Sequence, residues 1–188
     1  RRMVMMGQSH GGLTTLAYAQ NPHPGIRFFV NFAGGLKFTY NCRWEDSLLL
    51  AYAEFGKNTR KPSLWFYGEN DSYFPPAVIQ PAFAAYVAAG GPAEMVAFGA
   101  FGKDAHSMFG SAQGLPIWWP RVKSWLEKYD LPVAVTHPGL AQTNDMEPPQ
   151  ATGFARVAGR YRGLMFDLQA LPDTLTFRKL PALWVMVT

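Results

Sequence analysis

The chain has 188 residues, which is enough for one domain of about 150 residues and roughly forty residues more. Apolar types make up 48% and charged types 16% of the sequence, which excludes a disordered, solvating chain. The net charge is only +4 and the basic residues are scattered, so neither nucleic acid nor a membrane is expected as a partner. A single cysteine excludes intrachain disulfides and multi-cysteine metal sites.

Predicted strands and helices alternate along the first two thirds of the chain. Near-continuous apolar runs predict four strands, at residues 3–6, 26–32, 63–67 and 95–98. Turn residues and helically spaced apolar residues predict helices at residues 13–20, 44–55, 76–89 and 115–129. Apolar strands separated by helices are typical of a mostly parallel sheet with both faces covered. We therefore predict an α/β fold, a three-layer α/β/α sandwich.

The alternation ends after Tyr129. Residues 131–150 contain four prolines and indicate a linker or wrapping loop, and residues 151–188 have no clear succession of turns and strands. We therefore predict an α/β domain over residues 1–130, followed by a Pro-rich linker and tail over residues 131–188 to which the sequence assigns no structure.

Residues 7–11 read Gly-Gln-Ser-His-Gly, a G-x-S-x-G pattern centred on Ser9. A predicted strand directly before it and a helix directly after it are what a nucleophile elbow requires, since the serine must stand on a sharp turn above the sheet edge. The glycines would let the chain turn tightly beside its neighbours. The alternative is a glycine-rich turn whose serine caps the next helix.

A serine hydroxyl needs a general base that is held by a carboxylate. Asp71 follows the third predicted strand, and His106 follows the fourth. Glu69 and Asp104 are rival acids, which we rank after Asp71. Taken singly, Asp71 could be an ordinary turn residue and His106 a surface-loop histidine, but their order and their positions after strands favour a joint catalytic role.

Four segments carry a resemblance to the α/β-hydrolase superfamily, most closely to its dienelactone-hydrolase-like branch. They are residues 7–12 (GQSHGG), 31–35 (NFAGG), 64–75 (LWFYGENDSYFP) and 102–109 (GKDAHSMF). The resemblance covers residues 3–129 and implies Ser9 as nucleophile, Asp71 as acid and His106 as base, acting on carboxylic esters or lactones. Dienelactone hydrolase itself uses a cysteine nucleophile, so the serine favours a general esterase chemistry. No cofactor and no metal are implied.

The oxyanion formed in such a reaction needs two hydrogen-bond donors. One would be the backbone N–H of His10, and the other normally comes from a loop before the elbow strand. We expect an N-terminal segment or a second copy of the chain to complete the site, and we expect the edge of the elbow strand to be bare without such a segment. Aromatic residues on loops near the triad are candidates for lining the acyl pocket: Phe38, Tyr40, Tyr73, Phe74 and Phe109.

Two other interpretations of the sequence are open. A serine peptidase of the prolyl-oligopeptidase type would share the elbow and the order of the triad. A non-catalytic α/β module would instead bind a partner through the exposed strand edge and the Pro-rich tail.

Overall fold

The structure is a computed structural model that describes residues 2–38, 43–133 and 182–187. The described residues form five strands: β1 (Arg2–Gln8), β2 (Ile26–Phe32), β3 (Ser63–Tyr67), β4 (Ala93–Ala97) and β5 (Ala182–Val187). They form four α-helices: α1 (His10–Tyr18), α2 (Trp44–Asn58), α3 (Pro76–Ala88) and α4 (Leu115–Lys128). Two single 3₁₀ turns lie between β4 and α4, at Ala105–Ser107 and Ala112–Gly114.

The strands form one sheet in the order β4-β3-β2-β1-β5, and every neighbouring pair is parallel. Because a parallel pair needs a crossover, α1, α2 and α3 connect β1 to β2, β2 to β3 and β3 to β4. The predicted α/β class and the mostly parallel sheet are confirmed.

Each face of the sheet has its own hydrophobic cluster, because side chains alternate along a strand. Phe28, Val30 and Phe32 of β2 join a cluster that includes Val122 and Leu126 of α4. A second cluster combines residues of β3 with α1, α2 and α3, and its members include Leu16, Leu48, Trp65, Tyr67, Ile79 and Tyr86. One helix therefore covers one face and three cover the other, which gives the predicted three layers.

Strand β5 pairs with β1 along its whole length, from Arg2 with Ala182 to Gly7 with Val187. The expectation that the edge of the elbow strand is bare was therefore wrong, because residues from the far end of the chain occupy it. The sequence assigned no structure to this segment. The rest of the predicted linker and tail, residues 134–181, lies outside the described residues.

Most predicted elements agree with the structure, and α1 shows the main difference. It begins at His10 rather than near Leu13, so Gly11 and Gly12 lie inside its first turn. Glycine has a low helix propensity, but here the close packing of the turn requires it. None of the described helices is long and apolar enough to span a membrane.

Candidate active site

Ser9 occupies a sharp turn between β1 and α1. Its backbone has φ 55° and ψ −122°, a conformation that is uncommon and strained for a residue with a side chain. Three backbone hydrogen bonds hold it there. The Ser9 N–H donates to the Phe32 carbonyl at 3.0 Å, and the Ser9 carbonyl accepts from the N–H groups of Gly35 at 3.0 Å and Leu13 at 3.2 Å. The predicted turn is therefore fixed by the loop that follows β2.

Glycines around Ser9 make this turn sterically possible. A Cβ atom on Gly7 would lie closer than 3.0 Å to the backbone of Gly11, and one on Gly12 would lie equally close to the side chain of Asn31 and the backbone of Gly34. Real Cβ atoms essentially never approach other atoms so closely. The glycines are thus required where helix α1 passes β1 and the loop after β2.

Asp71 lies in the loop after β3, and its side chain is fully buried. One carboxylate oxygen, Oδ1, accepts hydrogen bonds from the backbone N–H groups of Tyr73 and Phe74, both at 2.9 Å. The other, Oδ2, lies 3.1 Å from Nδ1 of His106. A buried carboxylate with three donors is well satisfied, and it is aimed at the imidazole.

His106 lies in the 3₁₀ turn after β4, and 16% of its side chain is exposed. Its ring centroid is 4.6 Å from that of Tyr73 and 5.6 Å from that of Phe74. An ionised carboxylate can only accept, so we assign the proton to Nδ1. This tautomer leaves Nε2 free to accept a proton.

The rival acids do not contact the His106 ring in the described part of the chain. Glu69 is exposed. Asp104 accepts from the backbone N–H of His106 at 2.9 Å and from the Ser72 hydroxyl at 2.5 Å. The Ser72 hydroxyl, with further help from the backbone donors, lowers the pKa of Asp104. Asp104 therefore holds the loop of the histidine, whereas Asp71 holds its ring.

The structure brings Asp71 and His106 into direct contact, but it does not join Ser9 to them. Among the described residues, the Ser9 hydroxyl forms no hydrogen bond with His106; such bonds are often long before a substrate binds. The turn at Ser9 is tied to the histidine loop by Gln8, whose Nε2 donates to the His106 carbonyl at 2.9 Å. The sequence analysis did not identify Gln8, although an amide that follows the apolar residues of β1 could have indicated a polar contact at the end of this strand.

His10 is the first residue of α1, where backbone N–H groups have no partner within the helix. Within the described part of the chain, the His10 N–H donates no backbone hydrogen bond. The helix macrodipole adds partial positive charge at this end. The His10 N–H thus has the character of a donor for a negatively charged oxygen beside Ser9, and its role in an oxyanion hole stays a prediction.

The predicted pocket aromatics have different environments. Tyr73 and Phe38 are 49% and 57% exposed, whereas Phe74 is 1% and Phe109 is 8% exposed. Phe74 thus packs in the core with its ring centroid 5.6 Å from that of His106, and contact of these aromatics with a substrate stays a prediction. Tyr40 lies outside the described residues.

A small depression lies beside His106, and Phe109 contributes to its wall. Its wall also includes Gln8, Phe32 and Met108. The described residues thus place a mostly apolar depression next to His106. They also contain no group of three or more His, Cys, Asp or Glu side chains that could hold a metal ion.

A buried polar network supports the loop after β2 from behind. The hydroxyls of Tyr52 and Tyr67 both donate to the Gly34 carbonyl at 2.7 Å, and Asn31 donates to Tyr67 at 3.0 Å. Burial raises the pKa of both tyrosines, so they stay neutral donors. Because the Gly35 N–H donates to the Ser9 carbonyl, this network helps to fix the turn at Ser9.

Neither a protein-family model nor a curated protein matches this sequence. Among solved structures, a protein assigned as a dienelactone hydrolase from Klebsiella pneumoniae subsp. pneumoniae has a TM-score of 0.50 and 21% identity over 67% of this chain. Acylaminoacyl peptidase from Pyrococcus horikoshii has a TM-score of 0.51 and 14% identity over 72% of this chain. The likeness at these identities is one of fold, and the neighbours are hydrolases.

This chain therefore has the α/β-hydrolase fold. It spans 52% of the Klebsiella protein and 25% of the Pyrococcus peptidase, so it corresponds to about half of the first and a quarter of the second.

Proposed function

We propose, from the α/β-hydrolase fold of this chain, that it carries a serine hydrolase site that cleaves carboxylic esters or lactones. Ser9 would be the nucleophile, His106 the general base and Asp71 the acid that orients it. The observation that supports this most strongly is the 3.1 Å contact between Asp71 Oδ2 and His106 Nδ1, at the same sheet edge as a serine with φ 55°. A serine capping a helix would need neither feature, and Ser9 forms no side-chain cap.

The proposed reaction proceeds through an acyl-enzyme. His106 Nε2 accepts the proton of the Ser9 hydroxyl as its oxygen attacks the carbonyl carbon, and Asp71 stabilises the imidazolium. The His10 N–H donates to the oxyanion. His106 then returns the proton to the leaving alcohol, and water activated by the same histidine releases the acid and frees Ser9.

A second oxyanion donor is needed, and we propose that a segment preceding Arg1 or a second copy of this chain supplies it. Loss of one donor costs roughly two to three orders of magnitude in turnover. We therefore expect the 188-residue chain to react with an activated phosphonate more readily than it turns over an ester.

The test is labelling of Ser9 by a fluorophosphonate, together with hydrolysis of a p-nitrophenyl ester. An activated serine is expected to label, and Ser9→Ala is expected to abolish both signals. Ser47→Ala is the matched control, because this serine is exposed on α2 and, among the described residues, its hydroxyl donates only to the Arg43 carbonyl. Absence of labelling, even with the preceding segment restored, would falsify the proposal and favour a non-catalytic, partner-binding module.

A serine peptidase is the second candidate, because a peptidase is among the structures of the same fold. Matched aminoacyl ester and aminoacyl amide substrates separate the two activities. We expect the ester to be cleaved faster per unit of labelled Ser9, and preference for the amide would favour the peptidase.

A further inference from the structure

His106 stands in a single 3₁₀ turn that gives its own backbone little support. The turn closes through Ser107 N–H to the Asp104 carbonyl and Met108 N–H to the Ala105 carbonyl. Neither the N–H nor the carbonyl of His106 has a backbone partner in the described part of the chain. Gly99 and Gly102, upstream in the same loop, have φ values of 78° and 52° with open space around them. The contact with Asp71 fixes one ring nitrogen, but it does not fix the backbone that carries the ring.

The His106 carbonyl is held by Gln8. Alternation along β1 puts Gln8 on the same face as Val4 and Met6, which pack in the cluster that includes α4. Gln8 lies beside Phe32 and Phe109 in the wall of the depression, where an apolar side chain would fit, yet its amide donates to His106 at 2.9 Å. Gln8 directly precedes Ser9. This bond therefore links the turn of Ser9 to the loop of His106, the two residues that must meet in the proposed reaction.

The His106 N–H is held by Asp104. Oδ1 of Asp104 accepts from the His106 N–H at 2.9 Å and from the Ser72 N–H at 3.2 Å, while Oδ2 accepts from the Ser72 hydroxyl at 2.5 Å. Ser72 directly follows Asp71. Asp104 therefore joins the loop of the acid to the loop of the base.

We infer that Gln8 and Asp104 are positioning residues for His106. Gln8 sets the distance from the base to the nucleophile, and Asp104 sets the distance from the base to the acid. The inference rests on the proposed function, but its geometry can be tested separately.

Gln8→Met tests the first bond, because methionine has a similar length, carries no charge and cannot donate. We expect the maximal rate of Ser9 labelling by the fluorophosphonate to fall roughly 10- to 100-fold, as misplacement of a reacting group by about 1 Å predicts. The concentration for half-maximal rate should stay the same. The control is Gln20→Met, which removes a similar bond from Gln20 to the Ala17 carbonyl at the end of α1 and should label like the wild type.

Asp104→Ala tests the second bond, with Asp130→Ala as its control, since Asp130 pairs with Arg2 away from the site. Because Gln8 and Asp104 hold the same residue, the double variant should lose less than the product of the two single losses. If Gln8→Met fails to fold, as judged by circular dichroism, Asp104→Ala carries the test.

The Nδ1–H resonance of His106 in ¹⁵N-histidine-labelled protein separates this inference from the proposed function. We expect it to be observed in the wild type and to broaden or shift in both site variants but in neither control. If Ser9 of the wild type does not label, even with the preceding segment restored, but the resonance responds, the proposed function fails and the positioning role stands. Wild-type labelling rates or an unchanged resonance in folded Gln8→Met and Asp104→Ala would overturn the positioning role.

Discussion

Asp71 illustrates how a single residue acquires its role from its surroundings. A carboxylate removed from water must be matched by donors, and two backbone N–H groups from its own loop satisfy one oxygen. The remaining oxygen can then serve the His106 ring. Glu69 and Asp104 also carry carboxyl groups, but neither of them combines a buried side chain with a contact to the His106 ring.

Asp71→Asn should therefore lower the rate of Ser9 labelling by about two to four orders of magnitude. The asparagine oxygen can still accept from Tyr73 and Phe74, so its NH₂ group would face Nδ1 and favour the wrong imidazole tautomer. The measurement is the maximal labelling rate, with Glu69→Gln as the matched control. A larger loss in Asp104→Asn than in Asp71→Asn would identify Asp104 as the catalytic acid instead.

At the scale of elements, the close packing of β1, α1 and the loop after β2 depends on glycines. The first turn of α1 packs so closely on β1 that a methyl group on Gly7 has no space. This packing outweighs the low helix propensity of Gly11 and Gly12, and it holds Ser9 in its strained conformation.

Gly7→Ala should destabilise the fold by about 1–3 kcal/mol or more, because the backbone of Gly11 cannot move away as a flexible side chain could. The urea midpoint measures this effect. Gly110→Ala is the control, since a Cβ there meets nothing within 4 Å and its backbone needs no left-handed conformation. Equal midpoints for the two variants would contradict the packing argument.

Features that depend on neighbouring residues in the sequence were predicted more accurately than features that depend on distant residues. Strands β2 and β3 begin and end at the predicted residues, because continuous apolar runs between turn residues mark a buried parallel strand. The contact of Asp71 with His106 follows from strand order, since loops after parallel strands meet at one edge of the sheet. The start of α1 was missed because Gly11 and Gly12 have a low helix propensity. The acceptor of the Gln8 amide and the pairing of β5 depend on partners distant in the sequence, and no local pattern specifies those partners.

At the scale of the whole molecule, the buried polar network around Tyr52 and Tyr67 makes the free energy of unfolding fall as the pH rises above 10. Tyr52 and Tyr67 are fully buried, and burial raises their pKa above the ordinary value of 10. Below pH 10 both are neutral in the folded and unfolded chain, so their contribution is intact. Above pH 10 the unfolded chain ionises first, and stability is lost as the pH rises towards the folded-state values.

We expect the free energy of unfolding to fall by about 1.4 kcal/mol per tyrosine for each pH unit above 10. Urea titrations between pH 9 and 11 measure the slope. Tyr52→Phe should reduce it, while Tyr67 still donates to Gly34. Tyr18 is 41% exposed and lies outside this network, so Tyr18→Phe should keep the wild-type slope. The same slope in Tyr52→Phe as in the wild type would contradict this account.

The pairing of β5 with β1 has a consequence for the order in which the molecule assembles. Arg2 and Ala182 are paired neighbours although 180 positions separate them. Contacts of such sequence separation form slowly, because a long loop must close before the pairing contributes any stability. During synthesis β5 is the last of the described strands to leave the ribosome. A ribosome-bound chain stalled before Ala182 would therefore lack the strand that covers this edge of β1 in the folded protein.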